Sequence, residues 1–174
     1  MKPIFVKRYS TQNKKAKIDR SNPRHHAVLN KLADEAKWDT PTAAGTGRGM
    51  ALVESFNSIV GEVAEVRIVD GELRIDMVTC VIDCSVAVNP GQAEAQMHSS
   101  IVFGLSVFLG GEITLSDGEI DQSNFHDYEP LRLTEMPQIK VSIIEGSETH
   151  AGVGEPSLPP LLPAISKGCF RVNR

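Results

Sequence analysis

Between Met50 and Val88 two long β-branched runs, "IVGEVAEVRIV" and "ELRIDMVTCVIDCSVAV", meet at an Asp70-Gly71 pair. Runs of this kind around a D-G dipeptide predict a β-hairpin, because only a tight turn with φ > 0 reverses two such strands in register. A third strand over residues 50–56 extends the hairpin into a sheet. Everything else in the chain has to pack around that sheet or lead away from it.

At 174 residues the chain has room for one domain with a real core. In "SNPRHHAVLNKLADEAKW", Asn22 can cap and Pro23 suits the first helical position. Val28, Leu29, Leu32 and Ala36 recur on one face, which predicts an amphipathic helix over 23–37. His25 and His26 fall in its first turn and are expected to face solvent. Asn89-Pro90-Gly91 breaks the sheet, and "GQAEAQMHSSIVFGLSVFL" predicts a second helix over 91–109, apolar on most faces and therefore buried. A short hairpin turning at Asp117-Gly118 follows, then a strand alternating at Ile139, Val141 and Ile143, and a last helix beginning near Pro160–Leu162. Local hairpins mixed with helices predict an α+β fold, a mixed sheet with helices packed against one side. Residues 1–21 are polar and lysine-rich and read as a leader or linker, leaving 22–174 as the domain.

Composition excludes several classes of function. Hydrophobic residues make up 41% and charged residues 23%, and the formal charge of −4 gives no reason to expect nucleic acid. No apolar stretch reaches membrane-spanning length, and the N-terminus lacks the apolar core of a signal peptide, so a soluble cytoplasmic protein is expected. Cys80, Cys84 and Cys169 lack further ligands at metal-binding spacing and read as small buried hydrophobes.

Three segments invite a chemical reading. "TPTAAGTGRG", residues 40–49, is a glycine-rich loop, but it follows a helix and opens a β-rich run, the reverse of a phosphate-binding turn. "NFHDY" gathers His126, Asp127 and Tyr128, and reads as a structural turn because neighbours in an extended segment face opposite ways. "GVGEPSLPP", residues 152–160, sets one carboxylate, Glu155, between glycines able to adopt φ > 0 and prolines that stiffen the chain. On composition alone this is either a connector or a base presented on a rigid loop.

"GRGMALVESFNSIVGEVAEV", "VIDCSVAVNP", "IVFGLS", "DGEIDQSNFHDY" and "GVGEPSLPPLLPAI" occur in this order from about Pro23 to Ile165. In that arrangement they resemble the C-terminal part of the large subunit of molybdenum hydroxylases, the xanthine dehydrogenase and aldehyde oxidase family, nearest its isoquinoline 1-oxidoreductase β-subunit group. The resemblance implies a molybdopterin cofactor, in bacterial members commonly the cytosine dinucleotide. It implies Glu155 as the general base beside the molybdenum, Gln96 as an amide contact to the pterin, and Gly152, Val153 and Gly154 as the backbone that approaches the cofactor. No protein side chain is implied as a metal ligand. It also implies an N-heterocycle or aldehyde as substrate and a 2Fe-2S small subunit that removes the electrons.

Three departures from the family pattern stand out. His98, Ser99 and Ser100 occupy the place of an acidic residue and two glycines, which alters the cofactor side of this helix. Family large subunits are several hundred residues long, so an upstream polypeptide must supply the other glycine-rich loops of the site. "PAISKGCFRVNR" also departs from the family's last helix, as a truncated or shifted reading frame would. The expectation is thus a partial enzyme completed by another chain, or else a non-catalytic fragment that keeps the fold without cofactor. In the second case the sheet face toward the missing half should be an apolar surface, prone to association.

Overall fold

A computed structural model describes residues 22–146 and 149–172; the expected leader over 1–21 lies outside the described residues. Helix α1, Pro23–Glu35, starts as its sequence dictates, with the Asn22 side chain accepting from Arg24 N at 3.0 Å and proline in the first turn. Strands β1 (Thr46–Ser55), β2 (Ser58–Val69) and β3 (Glu72–Ser85) form an antiparallel meander. Its turns, Phe56-Asn57 and Asp70-Gly71, carry φ of 53°, 62°, 55° and 86°. Positive φ at both central residues is the twist-matched turn that two-residue hairpins favour.

Helix α2, Pro90–Gly110, is capped by Asn89, whose side chain accepts from Gln92 N at 3.1 Å. The small hairpin of β4 (Leu115–Ser116) and β5 (Glu119–Ile120) turns at Asp117-Gly118 as expected. The chain then returns to the sheet as β6, Gln138–Glu145, parallel to β3, which gives the order β1-β2-β3-β6. Helix α3, Leu158–Val172, closes the described chain. Among the described residues the fold is a mixed α+β sheet with three helices, as expected.

The layering differs from expectation. Alternate residues of a strand face opposite ways. Val60, Ala64, Val66, Val78, Cys80 and Ile82 pack with Met97, Ile101, Leu105, Leu161 and Ile165 of α2 and α3. On the other face Met50, Ile59, Val63 and Val81 pack with Val28, Leu29 and Leu32 of α1. The sheet is therefore a middle layer with helices on both faces.

Three local expectations also need correction. His25 is buried, with Nε2 2.8 Å from Glu54 Oε2 on β1. It falls on the same i, i+3, i+4, i+7 stripe as Val28, Leu29 and Leu32, so the period that buries them buries it too. Helix α2 is not covered all round, because Phe103 is 60% and Val107 43% exposed among the described residues. Gly47 and Gly49 belong to β1 rather than to a loop.

The two strand glycines have a packing reason. A Cβ on Gly47 would lie 2.1 Å from the Gly168 carbonyl oxygen, so α3 crosses β1 at backbone contact. That crossing brings Lys167 Nζ to Met50 O at 3.1 Å and Arg171 to Arg48 O at 2.9 Å. Side-chain cations thereby occupy carbonyls on an edge strand of the sheet.

Candidate functional site

The loop holding Glu155 is fastened at several points along its length. His150 bridges to Ser85 at the end of β3. Gly152 N donates to Phe56 O at 2.9 Å, and Ser58 Oγ donates to Gly152 O at 2.6 Å. Val153 packs its side chain against the core between the sheet and α2/α3. Ser100 Oγ of α2 donates to Gly154 O at 2.9 Å, and Ser157 Oγ to Met97 O at 3.3 Å. Leu158 N then donates to Glu155 O at 3.1 Å, at the start of α3.

The turn that receives Gly152 is itself under strain. Phe56 is a bulky residue with φ 53°, and such outliers persist only where surrounding contacts over-determine them. Arg24 supplies part of that hold, donating to Asn57 O at 3.0 Å while binding Asp83 Oδ1 at 2.8 Å and Oδ2 at 2.9 Å. A Cβ on Gly152 would come 2.8 Å from Phe56 Cβ, so this glycine makes room for the turn. The left-handed backbone expected at Gly152 and Gly154 does not occur, since φ is positive only at Gly45, Gly71 and Gly118 among the described glycines. Pro159 and Pro160 lie in the first turn of α3 rather than in the loop.

What the fastened loop leaves open is its outer edge. Gly154 and Glu155 are exposed, and an added Cβ at Gly154 would meet nothing within 4 Å. Among the described residues the Glu155 carboxylate has no hydrogen-bond or ion-pair partner, and the N–H groups of Val153, Gly154 and Glu155 have no acceptor. Gln96 is exposed on α2, one residue from Met97 and one helical turn from Ser100, the two residues bonded to the loop. Every candidate site residue named from sequence, Glu155, Gln96, Gly152, Val153 and Gly154, therefore lies on one edge of the molecule. His98 lies off that face and points back along the helix, 3.8 Å from Glu94.

This edge suits a pterin cofactor. It offers an amide, a row of free backbone donors, a glycine with open space beside it and an unpaired carboxylate. No group of three or more His, Cys, Asp or Glu among the described residues is placed to hold a metal ion. The glycine-rich 40–49 segment and the His126-Asp127 pair are not part of the edge. Asp127 accepts from Ser123 N at 2.7 Å and Asn124 N at 3.2 Å, bonds that hold its carboxyl below the usual range. It closes a capping box over the short 3-10 turn Phe125–Asp127, a structural job.

Of the residues that hold the loop, sequence reasoning missed Phe56 and Ser58 and marked Ser100 only as a departure from the family pattern. Positive φ at Phe56 has no signature in a bulky aromatic residue. A buried serine reaching across 54 residues has none either.

The same arrangement of sheet and helices occurs in quinoline 2-oxidoreductase from Pseudomonas putida 86, with a TM-score of 0.60 at 22% identity over 66% of this chain and 16% of that one. The fold is thus one found in molybdenum hydroxylases. The model of the Molybdopterin cofactor-binding domain family matches residues 5–137, and the chain belongs to that family. It is 34% identical over 158 residues, 88% of its length, to the isoquinoline 1-oxidoreductase subunit beta of Brevundimonas diminuta. It is 28% identical over 84% of its length to a membrane-bound aldehyde dehydrogenase [pyrroloquinoline-quinone] of Gluconacetobacter polyoxogenes. It spans 20% of the length of each of these two relatives. No helix among the described residues is long and apolar enough to cross a membrane.

Proposed function

We propose that this domain, residues 22–174, is the part of a molybdenum hydroxylase that supplies the general base and one wall of the molybdopterin site. The observation that carries this reading is the exposed, unpaired Glu155 carboxylate, held on a loop bonded to the helix turn that presents Gln96. Gln96 and the N–H groups of residues 153–155 hold the pterin, and Gly154 lets it come close. The bound group supplies a redox-active metal and an ionisable oxygen. Glu155 would take the proton from that oxygen, and its exposed, unpaired carboxylate leaves it open to do so.

Resemblance to isoquinoline 1-oxidoreductase supports an electron-poor N-heterocycle or an aldehyde as the substrate class. The finer assignments are the cytosine dinucleotide form of the cofactor, an upstream polypeptide that completes the site, a 2Fe-2S subunit that takes the electrons, and a cytoplasmic location.

The chain, produced with its upstream polypeptide, should contain molybdenum and releasable pterin. Glu155→Gln should leave both contents unchanged while lowering kcat by about a hundredfold or more, the usual share of a general base. An assembled complex devoid of molybdenum would sink the cofactor assignment, and full activity in Glu155→Gln would sink the base.

A further inference from the structure

Ser58 and Ser100 reach the Glu155 loop from opposite sides. Ser58, fully buried at the start of β2, bonds the carbonyl of Gly152; Ser100, 5% exposed on α2, bonds the carbonyl of Gly154. Val153 lies between the two grips with its side chain against the core. Glu155 follows Gly154, and among the described residues no hydrogen bond or ion pair holds its side chain.

Helical serines commonly turn back on their own helix and bond the carbonyl four residues earlier. Two serines of this chain do so: Ser106 bonds Val102 O and Ser166 bonds Leu162 O, both at 2.9 Å. Ser100 instead spends its one donor on the loop. A loop with glycine on both sides of Val153 has backbone freedom to lose, and the two carbonyl grips remove it.

We propose that Ser58 and Ser100 are positioning residues that hold the backbone on either side of Val153 and so present Glu155 in one place to the reacting group. The catalytic part of this proposal rests on the assignment of Glu155 as base; the ordering of the loop does not.

Backbone 15N relaxation of the chain tests the ordering directly. Gly154 and Glu155 should show rigid order parameters of about 0.85, falling below about 0.6 in Ser100→Ala and in Ser58→Ala. Ser100→Thr, which keeps the hydroxyl, should stay rigid. Val60 and Val81, deep in the two cores, report on the global fold and should not change. If one alanine variant loosens them too, the other, acting on the opposite side of Val153, gives the reading. Rigid loop amides in a variant with an intact core overturn the proposal.

In the assembled enzyme, Ser100→Ala should lower kcat about ten- to a hundredfold at unchanged KM, and Ser100→Thr should restore it. The two assignments fail separately. Full activity in Glu155→Gln removes the base and leaves the loop result standing, whereas normal loop order in Ser100→Ala removes the grips and leaves Glu155 in place.

Discussion

Gly49 of β1 and Gly168 of α3 meet at backbone contact. A Cβ on Gly49 would lie 1.9 Å from the Ala164 carbonyl oxygen and 2.4 Å from Gly168 N, and one on Gly168 would lie 2.9 Å from Val66 Cγ2. Gly49→Ala therefore has to push a helix off its sheet. It should lower unfolding stability by more than about 2 kcal/mol, the upper range for overpacking, as read from urea denaturation midpoints.

Gly154 is the opposite case. Nothing lies within 4 Å of an added Cβ, and its φ is not left-handed. Gly154→Ala should change stability by less than about 0.5 kcal/mol. In the assembled enzyme the same methyl group would stand between the loop and the cofactor, so pterin content should fall. Full pterin content in that variant would remove this face from the cofactor site.

Arg24 binds both oxygens of the buried Asp83 carboxylate and the Asn57 carbonyl at once. Its own charge is held more firmly by the hydrogen bond to Asp83. Arg24→Ala leaves that carboxylate short of partners and should cost about 1–3 kcal/mol, since the pair is partly open to solvent. Arg24→Lys should recover less than half of the loss, because an ammonium cannot reproduce the planar fork. Complete recovery with lysine would show that charge alone is at work.

Glu62 is fully buried, and neither carboxylate oxygen has a hydrogen-bond partner; its cross-strand neighbour is Cys80. Burial pushes its carboxyl well above the ordinary value of 4.5 and pushes the Cys80 thiol up as well. A group with a raised folded value stabilises fully below its unfolded value and loses that contribution as pH rises through the folded one. Stability should therefore decline from about pH 5 upward, by at most about 1.4 kcal/mol per pH unit inside that window. Glu62→Gln removes the titration, so its advantage over the native chain should grow from pH 5 to pH 8 in urea unfolding. Parallel pH profiles for the two proteins would contradict this.

Much of the architecture was legible because local rules and tertiary packing agreed. Asn22 and Asn89 cap the helices they precede, and Asp70-Gly71 and Asp117-Gly118 turn where D-G pairs should. The misreadings have physical causes. Gly47 and Gly49 looked like loop punctuation because glycine marks flexible backbone and close approach alike, and only the crossing of α3 tells which applies. His25 looked exposed because histidine is polar, although its position on the helical stripe fixed its burial. The candidate site was legible as residues but not as a place. Glu155 and Gln96 stood out through resemblance and Ser100 only as a departure from it, whereas Ser58 and the strained Phe56 that hold the loop did not stand out.

The sequence by itself determined the periodicities, the caps, the glycine turns and the family's residues, because each depends on neighbours a few positions apart. Only the tertiary structure decided that the sheet lies between helices, that α3 meets β1 at backbone contact, and that three buried serines bind the loop to α2 and to the start of β2. Those features join residues as much as 123 positions apart, and a chain's local preferences cannot specify which distant carbonyl a hydroxyl or a cation will find.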